Sequence, residues 1–539
     1  MKLLKALSIV WLIVGLGIVT ACSSSSEKNN ANSSTAQGGG NAAEVDELEH
    51  MDLSFYFPGS ADTVMPRGDD DFVKAYLEDK FNVSIAFDTL PFGDEFNTRL
   101  NLKISSGDAP DLMAISGTST VQLFADGVMG EMGSDRVNPN VMPNFFKWVT
   151  PEVFANYQIE KNSTARGYIP VNPKPMTSLL IRKDWLDALD LDYPTNYEEL
   201  TEVVRAFTQD DPDGNNKNDT YGFSAPGNGK AVYPYFPQFS YHGLYNVMFV
   251  DPKTKDFRTV YTDPKVGDVL DDIRAWIDEG YVDPDWFLSS SEKVAQKFVE
   301  GRIGMIWDLV PLDSDPNSYL NQLKQLYPDA DVRPFNPFPD HPVNIKIEPG
   351  YSWSISQRTV DKSPQKIDRI IQIVDWLFSE EGYLMTHYGI EDKHYTRSGN
   401  KITLIPEKYE EDVINKGNFL VAWHALTPER YIEPLGLEVI DPTMTERDRE
   451  VINVVNDYAL LQTATGYIPP EGFDFGSFAT KRAEIQVQYL FEKEKHPEWI
   501  PLLHDFLTNY GANDLYNAYV EQTQASGVDV NDWVSPTGN

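Results

Sequence analysis

The sequence predicts an α/β protein of more than one domain, built on open sheets flanked by helices. Three observations lead there. Between residues 53 and 115, short apolar runs alternate with amphipathic stretches in the order β-α-β-α-β, the pattern of an open sheet with helical crossovers. The 539 residues exceed what one hydrophobic core usually organises, so two to three domains are expected. A composition of 41% hydrophobic and 12% aromatic residues is enough to fill cores of that number.

Each element has its own signal. Residues 53–57 are apolar and aromatic, and Pro58-Gly59 follows as a turn. Phe72, Val73, Tyr76, Leu77 and Phe81 fall at helical spacing. Residues 83–87 alternate as a strand does, and 97–104 return to helical spacing. The run from Ser105 to Pro110 breaks that helix, and residues 111–115 read as the next strand. Ligands of open α/β sheets sit beyond the carboxyl ends of strands, here near Gly59 and Ser116.

The turn and strand Ser106-Gly107-Asp108-Ala109-Pro110-Asp111-Leu112 resemble a segment of the family 1 extracellular solute-binding proteins of ABC importers. Further stretches resemble the family in the same order. These are residues 178–186 with Pro194-Thr195-Asn196-Tyr197, then 298–307, 350–356, 375–382, and Tyr388-Gly389-Ile390-Glu391. One departure stands out: the family turn has glycine after that glutamate, and here Asp392 occupies the place. The resemblance covers about 50–430 well and the C-terminal stretch more loosely. The length and the loop at Asp211 point to the LplA-like branch, associated with oligosaccharides and their uronic acid forms.

The resemblance implies a two-lobed periplasmic-binding-protein-like fold: two open α/β sheets joined by a hinge, with extra C-terminal helices. The first lobe is expected at 50–170 and 350–435, the second at 171–345 and 436–539. Crossings are expected near 168–178, 342–353 and 430–445. It also implies capture of an oligosaccharide and delivery to the transmembrane subunits of an ABC permease, by a monomer.

The N-terminus supplies an address. Lys2 and Lys5 precede an apolar run of residues 6–19, which has the length of a signal-peptide core rather than the ~20 residues of a membrane span. Thr20-Ala21-Cys22 then resembles a bacterial lipobox, which implies lipidation of Cys22 and anchorage at the extracellular face of the cell membrane. An ordinary signal peptide or membrane anchor is the alternative. Cys22 is the one cysteine of the chain, so no internal disulfide forms. Residues 22–49, rich in Ser, Asn and Gly, read as a disordered tether.

Without residues 1–21, 43 positive charges face 82 negative ones, a net −39. Such a field repels nucleic-acid phosphates and anionic lipid headgroups, so the lipid is the only expected membrane contact and nucleic acid is not a partner.

The strongest chemical signal lies at residues 211–219. Side-chain oxygens of Asp211, Asp213, Asn215 and Asp219 recur at positions 1, 3, 5 and 9 of a loop, Gly214 permits a tight bend, and Lys217 offers its carbonyl at position 7. Hard oxygen donors so spaced are what Ca²⁺ takes, and this is the front half of an EF-hand-like loop. Position 12 is Gly222, so the usual bidentate glutamate is missing. The expected role is structural; the alternative is a polar Asx turn without metal.

Sugar rings stack on flat aromatics and bond through their hydroxyl edges, so aromatics near the predicted crossings are the candidate ligand wall. Trp307 with Asp308, and Tyr351 with Trp353, come first, followed by Tyr233, Tyr235 and Ser116. For any single aromatic, core packing is the alternative. Arg182 is a candidate partner for a sugar carboxylate, with an internal ion pair as its alternative. No zinc-protease, serine-hydrolase or complete phosphate-loop motif is present, so the chain is not expected to be an enzyme. A secreted carbohydrate hydrolase or lyase working with two carboxylates, and a surface sensor or adhesin, are the competing classes.

Overall fold

The computed structural model describes residues 48–538 except 61, 92–93, 117–119, 121–122, 161, 173–175, 246, 316–317, 345–350, 430–431, 462–468, 471 and 526–527. Cys22, the signal segment and nearly all of the tether therefore lie outside the described residues. Among those described, no helix is long and apolar enough to cross a membrane.

In chain order the strands are β1 (Met51–Gly59), β2 (Val83–Pro91), β3 (Leu112–Ser116) and β4 (Gly167–Tyr168). They are followed by β5 (Thr177–Arg182), β6 (Tyr221–Phe223), β7 (Met248–Val250), β8 (Phe257–Thr259), β9 (Ile303–Leu309), β10 (Val332–Phe335) and β11 (Val343–Asn344). Last come β12 (Tyr351–Ile355), β13 (Tyr395–Ser398), β14 (Lys401–Leu404), β15 (Glu438–Ile440) and β16 (Leu460–Leu461).

Two sheets organise the body. The first runs β2-β1-β3-β12-β4, the second β10-β5-β9-β6. In the first, β1 pairs parallel with β2 and β3, each connected through a helix, while β12 returns from far along the chain to pair antiparallel with β3. The opening β-α-β-α-β therefore forms as the apolar spacing dictates. Asp71 starts the first helix, Phe72–Phe81, by accepting from the Val73 and Lys74 N–H groups, and Asn82 ends it with φ +46°.

The hydrophobic clusters divide the same way. The core under the first sheet gathers Phe55, Phe57, Leu77, Leu112, Trp353, Ile370, Val374 and Trp423, drawing only on segments before residue 170 and after residue 352. The core of the second gathers Trp185, Phe207, Phe223, Trp276, Phe478, Leu503 and Tyr516, drawing on 179–338 and 478–530. Among the described residues, no cluster mixes the two sets of segments. Each lobe thus buries its own apolar surface, the condition for one to move against the other without exposing either core.

The C-terminal stretch is shared out as well. β15 pairs with β14 beside the first lobe, whereas the next helix, Glu446–Asn456, buries Val451 and Val455 in the second. The three helices Phe475–Phe491, Trp499–Asn509 and Ala512–Ala525 all pack on the second lobe's core.

The turn that departs from the family pattern has a clear conformation. Asp392 takes φ +61°, a left-handed value that suits glycine and that aspartate tolerates better than most residues. Its N–H bonds the Tyr395 carbonyl at 2.7 Å, so the turn closes without the glycine.

Candidate ligand-binding cleft

Strand direction fixes which edges of the two sheets meet the crossings. In the first sheet the chain leaves at Tyr168, the end of β4, and re-enters at Tyr351, the start of β12. Tyr351 pairs with Ser116 at the end of β3, and Ser352 with Tyr168. In the second sheet β5 enters at Thr177, so its first residues stand beside the last of β9: Ser178 pairs with Asp308 and Leu179 with Trp307. Phe335, ending β10, pairs with Leu179 from the other side. The edge carrying Ser116, Tyr168 and Tyr351 is thereby joined by the chain to the edge carrying Ser178, Trp307, Asp308 and Phe335.

On the second lobe that edge holds a cavity of about 100 Å³ lined by Ser178, Tyr235, Tyr245, Trp307, Phe335 and Tyr458. A whole ligand pocket runs to ~300–1,000 Å³, so this is a notch in one wall. Two larger hollows lie elsewhere on the lobe. One, of about 590 Å³, follows the outer β10 edge past Lys183 and Arg333; the other, of about 660 Å³, opens by Tyr221 at the far end of β6.

Burial shifts the pKa values of the polar groups along the two edges upward. Burial raises the Asp308 carboxyl above its ordinary range, and the Leu309 N–H, which it accepts at 2.7 Å, and the Tyr319 hydroxyl pull it partly back. Burial raises the Tyr458 phenol to about 12, and its hydroxyl lies 2.9 Å from the Ser178 hydroxyl. Tyr235 is raised by burial and then by Tyr233, Asp308 and Tyr261. Tyr351 is raised by burial alone. These phenols stay protonated at neutral pH and can donate as well as accept, while their rings offer apolar faces.

The predicted ligand residues divide accordingly. Trp307, Asp308, Tyr235 and Tyr351 stand half-buried at the two edges, and Tyr233 lies against Tyr235 with ring centres 5.9 Å apart. Trp353 does not reach the cleft. Its indole is fully buried in the first lobe, flat against Gly167, where an added Cβ would lie 1.8 Å from the ring, and edge-on to Phe145. The cause is strand alternation: Tyr351 at the mouth and Trp353 two residues deeper share a face that has become core. Arg182 is 2% exposed, paired with Asp184 at 2.5 Å and stacked 4.5 Å over Trp185, at the end of β5 away from the crossings. It is the internal ion pair. The backbone of Ser116 lies at the mouth.

Tyr458, Ser178 and Phe335 are the wall residues that sequence reasoning missed. Ser178 and Tyr458 are 280 positions apart, and no local pattern links them.

The loop of Asp211 follows the helix Tyr197–Gln209 and precedes β6, at the end of the sheet remote from the crossings. Among the described residues, no group of three or more His, Cys, Asp or Glu side chains is arranged to hold a metal ion. The donors are nonetheless gathered: the Asn215 amide donates to Asp213 at 2.7 Å and to Asp219 at 3.1 Å, and Asp211 accepts from the Asn215 and Asn216 N–H groups. Lys217 N–H bonds the Asn215 side-chain oxygen. Burial, then the Asp211 and Asp219 carboxylates, holds the Asp213 carboxyl above its ordinary range. Crowded carboxylates of this kind are what a hard cation relieves, so the donor chemistry fits calcium.

Residues 64–383 match the family described as bacterial extracellular solute-binding protein. The polygalacturonan/rhamnogalacturonan-binding protein YtcQ of Bacillus subtilis (strain 168) is 28% identical over 335 residues, which cover 58% of this chain and 61% of YtcQ. Among solved structures, the Streptococcus pneumoniae ABC-transporter substrate-binding protein FusA in complex with kestose superposes with a TM-score of 0.61 at 18% identity, covering 88% of this chain and 99% of that one. The alginate-binding protein AlgQ2 without calcium ion gives 0.62 at 16%, covering 89% and 98%. At such identities the likeness is one of fold, and the fold is the two-lobed one described above. The protein belongs to the bacterial extracellular solute-binding protein family.

Proposed function

We propose that the protein is a lipid-anchored carrier that captures an oligosaccharide between its lobes and hands it, chemically intact, to the transmembrane subunits of an ABC permease. The observation that carries this reading is the division of the molecule into two self-sufficient cores whose joined edges bear half-buried tyrosine and tryptophan rings. A ligand touching both edges favours the closed arrangement by as much as it binds that arrangement better. Trp307, Tyr233, Tyr235 and Tyr351 would supply ring faces; Asp308, Ser178, Tyr458 and Ser116 would supply polar partners. The relatives are named as binding proteins, which favours a carrier over a hydrolase or lyase.

In this reading the first lobe spans 50–170 and 351–440, and the second 177–344 and 446–539, with crossings in the three intervals between. Cys22 carries the lipid, at the extracellular face of the membrane, and the protein works as a monomer. Calcium, held by Asp211, Asp213, Asn215, Asp219 and the Lys217 carbonyl, pins the loop before β6 and takes no part in ligand capture. Titration calorimetry of the full-length protein against a panel of plant and host glycan fragments tests the assignment. Binding with no new products by chromatography is expected; degradation of the ligand would overturn it.

A further inference from the structure

Two hollows of the second lobe share their walls. β10 is the outer strand of the second sheet, and the hollow of about 590 Å³ follows it from Lys183 and Arg333 to Phe335 and Asn336, at the end nearer the crossings. Phe335 and Asn336 also line the notch beside Trp307. The opposite wall continues in the same way. Val451 and Val454 of the helix Glu446–Asn456 line the groove, and Tyr458, just past the end of that helix, lines the notch. Notch and groove are therefore successive parts of one channel between β10 and the C-terminal chain. The groove alone has the volume of a ligand pocket, ~300–1,000 Å³, which the notch does not reach.

The groove carries the same kind of surface as the notch. Tyr193, in the loop after the helix Lys183–Ala188, is 37% exposed, and its ring leans on Phe335 with centres 6.2 Å apart. Aromatic surface thus continues from Trp307 across Phe335 to Tyr193. The charges beside it are matched within the wall: Arg333 with Asp331 at 2.8 Å and Glu450 at 3.0 Å, and Lys183 with Asp187. Cations so paired attract an anion weakly, but their remaining N–H groups and the carboxylate lone pairs suit hydroxyls. A strand of another protein would fit poorly, because Pro334 has no N–H to offer at this sheet edge and the Val332 carbonyl already accepts from Arg447. We infer that the groove beside β10 is an outer subsite for sugar residues running out of the cleft past Phe335, with Tyr193 as its stacking platform. The ligand is then an oligosaccharide longer than the notch can seat, held between the lobes at one end and on the second lobe alone at the other. This rests on the cleft being a sugar site. Contacts in the groove exist whether the lobes are open or closed, so they raise affinity without driving closure.

The test is calorimetry on the full-length protein with oligogalacturonates and fructooligosaccharides, each as trimer and hexamer. In a series that binds, the hexamer should bind about tenfold tighter than the trimer, the worth of covering one exposed ring face. Tyr193→Ala should remove most of that gain and leave the trimer unchanged. Val454→Gln, at an exposed position of the opposite wall, narrows the groove and should do the same, which decides the matter if Tyr193→Ala does not fold. Equal wild-type affinity for trimer and hexamer, or an equal loss at both lengths in Tyr193→Ala, overturns the inference while leaving the sugar reading intact. A gain that survives both variants while uptake by cells is lost overturns it too, and gives the groove to the permease. Binding of neither series at either length overturns both readings.

Discussion

Trp353 and Trp307 make a pair of substitutions whose effects should come apart. Trp353 is fully buried between Gly167 and Phe145, so Trp353→Ala leaves a cavity and should cost about 3–5 kcal/mol of first-lobe stability. For a lobe of this size that lowers its melting transition by roughly 10 °C. Trp307 is half-buried, and a sugar ring would cover the face it still exposes, on the order of 50 Å². At ~25 cal/mol per Å² that is about 1.3 kcal/mol, or nearly tenfold in Kd. Differential scanning calorimetry and isothermal titration on the same preparations separate the two. Trp307→Ala should weaken glycan binding with little change in melting, and Trp353→Ala should do the reverse. If Trp353→Phe, which preserves most of the packing, abolished binding while melting normally, the reasoning that puts this ring in the core and not at the ligand would be refuted. Gly167→Ala supplies an independent check, because its methyl must displace the Trp353 indole and should lower the same transition.

Saturating calcium at a hundredfold its Kd should stabilise the second lobe by about 2.7 kcal/mol, visible as a raised melting point that a chelator reverses. Asp213→Asn should remove that response; a calcium shift that survives it would place the ion elsewhere. His394 should make the first lobe sensitive to acid. Burial is the main cause holding its imidazole below the ordinary 6.5, with Lys393 and Lys416 lowering it further and Asp412 opposing them. The unfolded chain therefore binds more protons than the native one just below that value, so the contribution is complete above about 6.5 and is lost as pH falls. Denaturation curves of wild type and His394→Gln should converge on going from pH 7.5 to 5.5, and a constant gap would refute the assignment. Gly389 has φ +88°, and a Cβ there would lie 2.3 Å from the His394 ring, so Gly389→Ala should cost at least about 2 kcal/mol by chemical denaturation.

What could be read from the sequence was what repeats locally. The opening strands and helices are legible because Phe55, Leu77, Ile85 and Leu112 recur at the spacing of their own elements and bury the faces that spacing selects. The mouth of the cleft was legible in part, since Tyr351 and Trp307 lie where strands begin or end at a crossing. Depth along a strand was not: Tyr351 and Trp353 share a face, and only the packing of Gly167 and Phe145 against one of them decides which ring is core. Arg182 illustrates the same limit, because its partner Asp184 is two residues away while its remoteness from the cleft depends on which end of β5 faces the crossings. Tyr458 was invisible for a third reason. It reaches the wall from the C-terminal part of the chain, 280 positions from its partner Ser178, and no local spacing links the two.

The distribution of the wall bears on how capture would proceed. Trp307, Tyr235, Tyr245, Phe335 and Tyr458 all belong to the second lobe, whereas the first contributes Tyr168 and Tyr351 at its mouth. A ligand would meet most of its apolar contact on the second lobe alone and gain the remainder only when the first lobe swings over. Contacts made in both the open and the closed arrangement raise affinity without shifting the balance between them. In the proposed reading, closure would be favoured by the smaller set, which among the described residues includes Tyr168 and Tyr351 of the first lobe. Turning a population from 1:99 to 99:1 takes ~10⁴-fold tighter binding to the favoured state. Two rings and a few hydrogen bonds supply that only from a balance already near even. The separate cores fit this requirement: neither core need be exposed when the crossings bend, so the open and closed forms can lie close in free energy and a modest ligand contact can select between them.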